Sequence, residues 1–174
     1  MAKIGFTKLG LKPNNEVVNI EFNEQTIEVK QYLPVEEKLE LITNVLELSH
    51  DSNNFSNPIK VQVYTALEMI DKYTNISFTE KQKENPTKLY DLLNSNGLLE
   101  KIIDAVPQIE YDELIHGIYD TINAVYSYQN SVLGILDTIS QDYSNLNLDA
   151  TEIQKKLADP ENMALLKNIM TKLG

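Results

Sequence analysis

The chain opens on alternating apolar and polar positions and changes to a helical period after its first fifth. Val17-Val18-Asn19-Ile20-Glu21-Phe22 and Thr26-Ile27-Glu28-Val29-Lys30-Gln31-Tyr32-Leu33 both keep the two-residue period of a strand, with Asn23-Glu24-Gln25 between them. Val18, Ile20 and Phe22 point one way and Ile27, Val29 and Leu33 oppose them, which predicts a β-hairpin with a short polar turn. A lone hairpin is marginal in water, so it must lie on helices or on another chain's sheet. Upstream, Ile4, Phe6, Leu9 and Leu11 are interleaved with three lysines and two glycines. This segment reads either as a third strand or as an extended arm that docks on a neighbour, although a loosely held terminus is the commoner case.

From Pro34 the pattern is helical. Proline suits a first helical position, and Leu39, Ile42, Val45, Leu46 and Ser49 follow on one face. Asp51 to Ser56 reads as a loop. Asn57-Pro58 supplies a cap and a first-turn proline for a helix bearing Val61, Tyr64, Leu67, Met69 and Ile70. Ser77 with Glu80 predicts a capping box, and Pro86 divides that region into two short helices. Asn96-Gly97 stops the second, and Leu98 to Val106 forms another short helix ending at Pro107.

A longer register comes next. Tyr111, Ile115, Ile118, Ile122 and Val125, then Val132, Leu136, Ile139 and Tyr143, recur at alternating spacings of four and three, with Gln129 as the polar interruption. That is a heptad seam, and it predicts a helix over roughly residues 109 to 142, about 50 Å long if unbroken. Gly134, near Ser127 and Ser131, is the expected kink. Asp149 with Glu152, and Asp159-Pro160 ahead of Leu166, Ile169, Met170 and Leu173, predict two further starts. The expected fold is mainly α: an N-terminal arm and β-hairpin over residues 1–33, then an acidic helical domain over 34–174.

Charge changes this picture from folding to contacts. The chain carries −11 overall, and Ile102 to Gln154 contains neither lysine nor arginine. Residues 97 to 150 hold one lysine against nine acids, a net of −8. Such a surface is repelled by phosphate backbones and anionic lipid and favours a basic protein partner; excess acid also serves solubility alone. Arginine is absent throughout, which removes the bidentate fork used for phosphate recognition. The abundance of lysine, asparagine and isoleucine in its place reads like the coding bias of an AT-rich genome. Cysteine is absent too, so no disulfide or thiolate chemistry exists and folding in a reducing cytosol is expected. No apolar run has the length of a membrane span, and the N-terminus lacks the pattern of a secretory signal.

The inventory for chemistry is sparse. The two histidines, His50 and His116, lie in no nucleophile motif, and the six glycines form no phosphate loop. Asp51-Ser52-Asn53-Asn54-Phe55 fails as a calcium loop at its third ligand position, and Asp142 to Asp149 lacks the turn glycine and the bidentate glutamate. Both histidines sit in Glu-x-x-His, as Glu47 to His50 and Glu113 to His116, the spacing of di-iron bundles. All four lie off the apolar stripes, whereas di-iron ligands must project inward. Neither a catalytic residue, a cofactor nor a metal is therefore expected, and the chain reads as a non-enzyme.

Contact residues are the better candidates. Tyr111, Tyr119, Tyr126, Tyr128 and Tyr143 cluster on the long helix, and tyrosine buries area while keeping a polar handle. Tyr111 and Tyr143 fit the edge of the core. Tyr119 and Tyr128 fall off the seam and, with Phe6, Asp112, Asp120 and Gln129, are the expected partner-binding residues. Gln129 sets register between paired helices, or else marks where the helix leaves the core.

Lys3-Ile4-Gly5-Phe6-Thr7-Lys8-Leu9, Ile27-Glu28-Val29-Lys30-Gln31-Tyr32-Leu33-Pro34 and Asp159-Pro160-Glu161-Asn162 resemble segments of small proteins of tailed phages or prophages of low-GC Gram-positive bacteria. The plan of a hairpin followed by an acidic helical body is similar to that of tail assembly chaperones. The resemblance covers most of the chain in style and carries no diagnostic motif. It implies a virion or tail assembly protein, located in the bacterial host cytoplasm or the virion. The implied partners are tail or capsid proteins, or further copies of the chain, with no direct contact to nucleic acid or membrane. The competing expectation is an acidic phage inhibitor of a host nucleic-acid-binding or defence protein.

Overall fold

The computed structural model describes residues 3–51 and 55–145. The chain divides into two compact units, Met1–Val125 and Tyr126–Gly174. A 3-10 turn at Phe6–Leu9 precedes strands β1 (Val17–Phe22) and β2 (Gln25–Lys30). The helices are α1 (Val35–Ser49), α2 (Pro58–Tyr73), α3 (Glu80–Lys83), α4 (Pro86–Ser95), α5 (Leu98–Ala105), α6 (Gln108–Gln129) and α7 (Val132–Asn145). The fold is mainly α with a small N-terminal β-hairpin, as the periodicities predict.

The hairpin pairs Val18 with Val29, Ile20 with Ile27 and Phe22 with Gln25. Its turn has only two residues, Asn23 at φ 48° and Glu24 at φ 63°. Left-handed conformations at both positions are the signature of the mirror-image turn that matches strand twist. Asparagine tolerates this geometry; glutamate is strained in it. Ile27 and Val29 are buried. Val29 also bridges to Thr74, and the Glu28 N–H donates to Asn75 Oδ1 at 3.2 Å. The outer edge of β2 is thus covered by the end of α2, and the hairpin rests on helices of its own chain.

Local chemistry sets the helix limits. Asn57 Oδ1 accepts from the N–H groups of Ile59 and Lys60 at 2.9 and 3.2 Å, satisfying donors that an α-helix leaves open. Asn85 Oδ1 does the same for Lys88 at 3.1 Å ahead of Pro86. Gly97, at φ 73°, takes the left-handed conformation that separates α4 from α5. The capping box lies two residues beyond Ser77: Thr79 is the cap, and Gln82 Oε1 accepts from its N–H at 2.8 Å.

Two helix faces differ from the hydropathy pattern. On α1 the buried positions are Lys38, Leu41, Val45 and Ser49, while Leu39 is exposed. On α6 they are Glu110, Leu114, Ile118 and Ile122, while Tyr111 and Ile115 are half-buried. Both corrections have one cause, a pair of opposite charges inside. Across the interior Leu33, Leu41, Val45, Met69, Ile70, Tyr73, Ile102, Leu114 and Ile118 are almost wholly buried. Each side chain of this size contributes about 1.5–3 kcal/mol when removed from water.

In the unit from Tyr126 onward, the expected long helix is broken at Asn130–Ser131, three residues before the anticipated kink. Asn130 Nδ2 donates to the Tyr126 carbonyl at 2.8 Å, and Ser131 Oγ to the Tyr128 carbonyl at 2.6 Å. Such local bonds draw backbone groups out of a continuous helix. Ser131 then caps α7, its Oγ accepting from the Gly134 N–H at 3.1 Å. Gly134 lies inside α7 for another reason: a Cβ there would overlap the Tyr128 carbonyl and come within 3.0 Å of Gln129 Cα. The seam residues Val132, Leu136 and Ile139 are exposed on α7. The expected helix starts at Asp149 and Asp159, their apolar positions through Leu173, and the side chain of Tyr143 lie outside the described residues.

Candidate functional site

Among the described residues Glu110 is the most deeply placed charge, with 3 % of its surface exposed. Its Oε1 accepts from the Leu33 backbone N–H at 2.8 Å and from the Tyr73 hydroxyl at 3.0 Å, and its Oε2 from Lys38 Nζ at 3.0 Å. Lys38 Nζ also reaches Glu113 Oε2 at 2.7 Å and lies 5.0 Å from the centre of the Tyr32 ring. The segment after the hairpin, α1, α2 and α6 therefore meet at one carboxylate. Burial works against the Lys38 ammonium, but hydrogen bonds to Glu113 and Glu110 outweigh it and raise its pKa. Burial, with the Glu110 charge and hydrogen bond, pushes the Tyr73 phenol well above its usual range. All these groups are partnered to one another. The arrangement joins elements; it does not present a base or nucleophile to a substrate.

One outward-facing recess among the described residues is a largely apolar cleft of about 410 Å³ between α2, α5 and α6, with Tyr90 of α4 at its edge. Val61, Ala66 and Met69 of α2, Leu99 and Ile103 of α5, and Ile115 and Ile118 of α6 line it. Ile59, Tyr111 and Tyr119 complete its mouth. Gln62 Nε2 donates to Tyr90 Oη at 2.7 Å, the polar link across its rim. Burial, then the nearby Tyr119 and Asp112, raise the Tyr111 phenol pKa. The cleft thus combines an apolar floor with tyrosine hydroxyls and the Gln62 amide at its lip, a composition suited to holding an apolar side chain from another molecule.

The expected contact residues fall into three places. Asp112, Tyr119 and Asp120 are exposed on α6, with Tyr119 at 56 %, and helical spacing sets them on one side of it. Asp112 accepts from Gln108 Nε2 at 2.7 Å. Phe6 is 75 % exposed on the N-terminal 3-10 turn. Tyr128 and Gln129 belong to the second unit, where Tyr128 is exposed and donates a hydrogen bond to Asp137, and Gln129 is half-buried. That hydrogen bond raises the Tyr128 pKa. Reading the sequence missed Glu110, Lys38 and Tyr73 altogether, and it also missed the cleft floor. The available signal was a lysine and a glutamate at core positions of two otherwise amphipathic helices.

The two Glu-x-x-His pairs do not meet. Glu113 is engaged by Lys38, and His50 forms an antiparallel bridge with Ser56 at the end of α1. Among the described residues no group of three or more acids and histidines is arranged to hold a metal ion. Among the same residues no helix is long and apolar enough to cross a membrane. No protein-family model matches the chain, and neither a curated protein nor a solved structure matches it.

Proposed function

We propose that this chain is a non-enzymatic assembly protein of a tailed phage or prophage, a tail assembly chaperone or a minor virion component. It acts through protein–protein contacts. The observation that carries the reading is the α2/α6 cleft, an apolar floor with a tyrosine-lined mouth, one wall of which is the acidic helix α6. The polar groups of the interior support it, because they are consumed in holding elements together. Deleting the gene from its phage and imaging the particles tests this directly. The expected result is heads without complete tails, or unjoined heads and tails, restored by supplying the gene in trans. Normal yields of intact infectious particles would contradict it.

A second reading has its own support in the net charge of −8 over residues 97 to 150. An acidic inhibitor of a basic host protein would bind with an affinity that falls steeply as salt rises. A partner captured equally well at low and high salt would argue against it.

A further inference from the structure

The N-terminal arm has the complement of what the cleft offers. Ile4, Phe6, Leu9 and Leu11 are all exposed, at 53 to 75 %, and no residue from Lys3 to Glu16 is buried. The Phe6–Leu9 3-10 turn has Gly5 and Gly10 on either side, and Gly10 is at φ 62°. In a 3-10 turn positions three apart eclipse, so Phe6 and Leu9 form one apolar knob. Residues 1 to 15 carry Lys3, Lys8 and Lys12 and no acid. The arm is pinned at its far end, where the Gln31 N–H donates to the Glu16 carbonyl at 2.9 Å.

The helices lining one side of the cleft have the opposite charge. Glu100, Asp104, Asp112 and Asp120 are exposed on α5 and α6, against Lys101 alone, while Glu110 and Glu113 of α6 are taken up by Lys38. A cleft of some 410 Å³ has room for an aromatic and an aliphatic side chain together. The arm keeps Phe6 and Leu9 exposed and does not cover its own cleft.

We propose that the Phe6–Leu9 knob of one copy inserts into the α2/α6 cleft of a second copy, with the arm lysines against the α5 and α6 carboxylates. The contact is head to tail: arm and cleft are different surfaces, so each copy can both give and receive, and the assembly grows into a ring or an open chain. The inference rests on the reading of this protein as one that works by assembly. A contact built from one short arm is weak singly and gains strength when a ring closes.

Sedimentation of the full chain up to about 200 µM, a range that reveals micromolar association, tests it with two surface variants. One carries Phe6→Ser and Leu9→Ser; the other carries Ile59→Ser and Tyr119→Ala. All four side chains are exposed, so both variants should fold, which circular dichroism checks. The wild type should form oligomers that grow with concentration, and each variant alone should stay monomeric. A mixture of the two should give one-to-one dimers and nothing larger, because it contains one working arm and one working cleft. Three outcomes would overturn the inference: a wild type that stays monomeric, oligomers that survive either pair of substitutions, and a mixture that forms no dimer. A monomeric wild type that still binds phage structural proteins would remove this contact and leave the assembly reading in place. Arm-dependent oligomers in a protein dispensable for phage particles would support the contact and remove that reading.

Discussion

Lys38 and Glu110 lie 72 residues apart and form an ion pair at 3.0 Å, with about a tenth or less of either side chain exposed. Each is buried because the other is. Withdrawing two charges from water is costly, and a pair repays the cost only when the remaining hydrogen-bonding positions are filled. Leu33 and Tyr73 fill those of Glu110, and Glu113 adds a second carboxylate for Lys38.

Replacing one partner should therefore be much worse than replacing both. Lys38→Met leaves Glu110 buried without its cation, and a loss of about 3–5 kcal/mol in urea unfolding is expected. Adding Glu110→Gln should recover most of that loss, because the amide oxygen still accepts from Leu33 and Tyr73. Glu113→Gln, at a side chain 67 % exposed, should cost less than about 1 kcal/mol. Equal losses in the first two variants would show that the pair is not coupled.

The same network sets an alkaline limit. Lys38 and Tyr73 both hold their protons more tightly when folded than when unfolded. Unfolded tyrosine and lysine release theirs near pH 10, so above that the native state binds more protons than the unfolded state does. The stabilisation is full below about pH 10 and falls as pH rises beyond it. Unfolding followed between pH 7 and 11 should show this decline. Tyr73→Phe should make it shallower while costing about 1–3 kcal/mol at neutral pH, since Glu110 loses a buried donor.

At the hairpin turn the strain falls on Glu24, at φ 63°. Glycine adopts that conformation freely, so Glu24→Gly should stabilise the protein by about 1 kcal/mol in thermal unfolding. Asn23, at φ 48°, suits its position already, and Asn23→Val should destabilise.

Gly134 permits the close approach of α7 to the carbonyl of Tyr128. In an ordinary helix interior, Gly→Ala gains stability. Here Gly134→Ala should instead speed amide exchange through α7, because backbone, not a flexible side-chain tip, has to move.

Much of this architecture could be read from local signals. Asn57-Pro58, Pro86 and Asn96-Gly97 marked helix limits because caps, proline and left-handed glycine act within a few residues. The hairpin was legible for the same reason, its turn and alternation being short-range. The faces of α1 and α6 were not. Hydropathy places lysine and glutamate outside, so it rotated α1 toward Leu39 and α6 toward Tyr111; only the meeting of Lys38 with Glu110 makes the true faces apolar enough to bury. The cleft was illegible for a related reason, since its floor joins α2 to α5 and α6, which lie some way further along the sequence. Of the expected contact residues, Tyr119 is exposed, off the buried face of α6, and lines the cleft.

The most direct test of the proposed role is co-expression of the tagged chain with the capsid and tail proteins encoded in the same genome, followed by affinity purification and native mass spectrometry. The account predicts a complex of defined stoichiometry with at least one of them, weakened by Ile59→Ser and Tyr119→Ala at the cleft mouth. A chain that purifies with none of them, at low or at high salt, would contradict it.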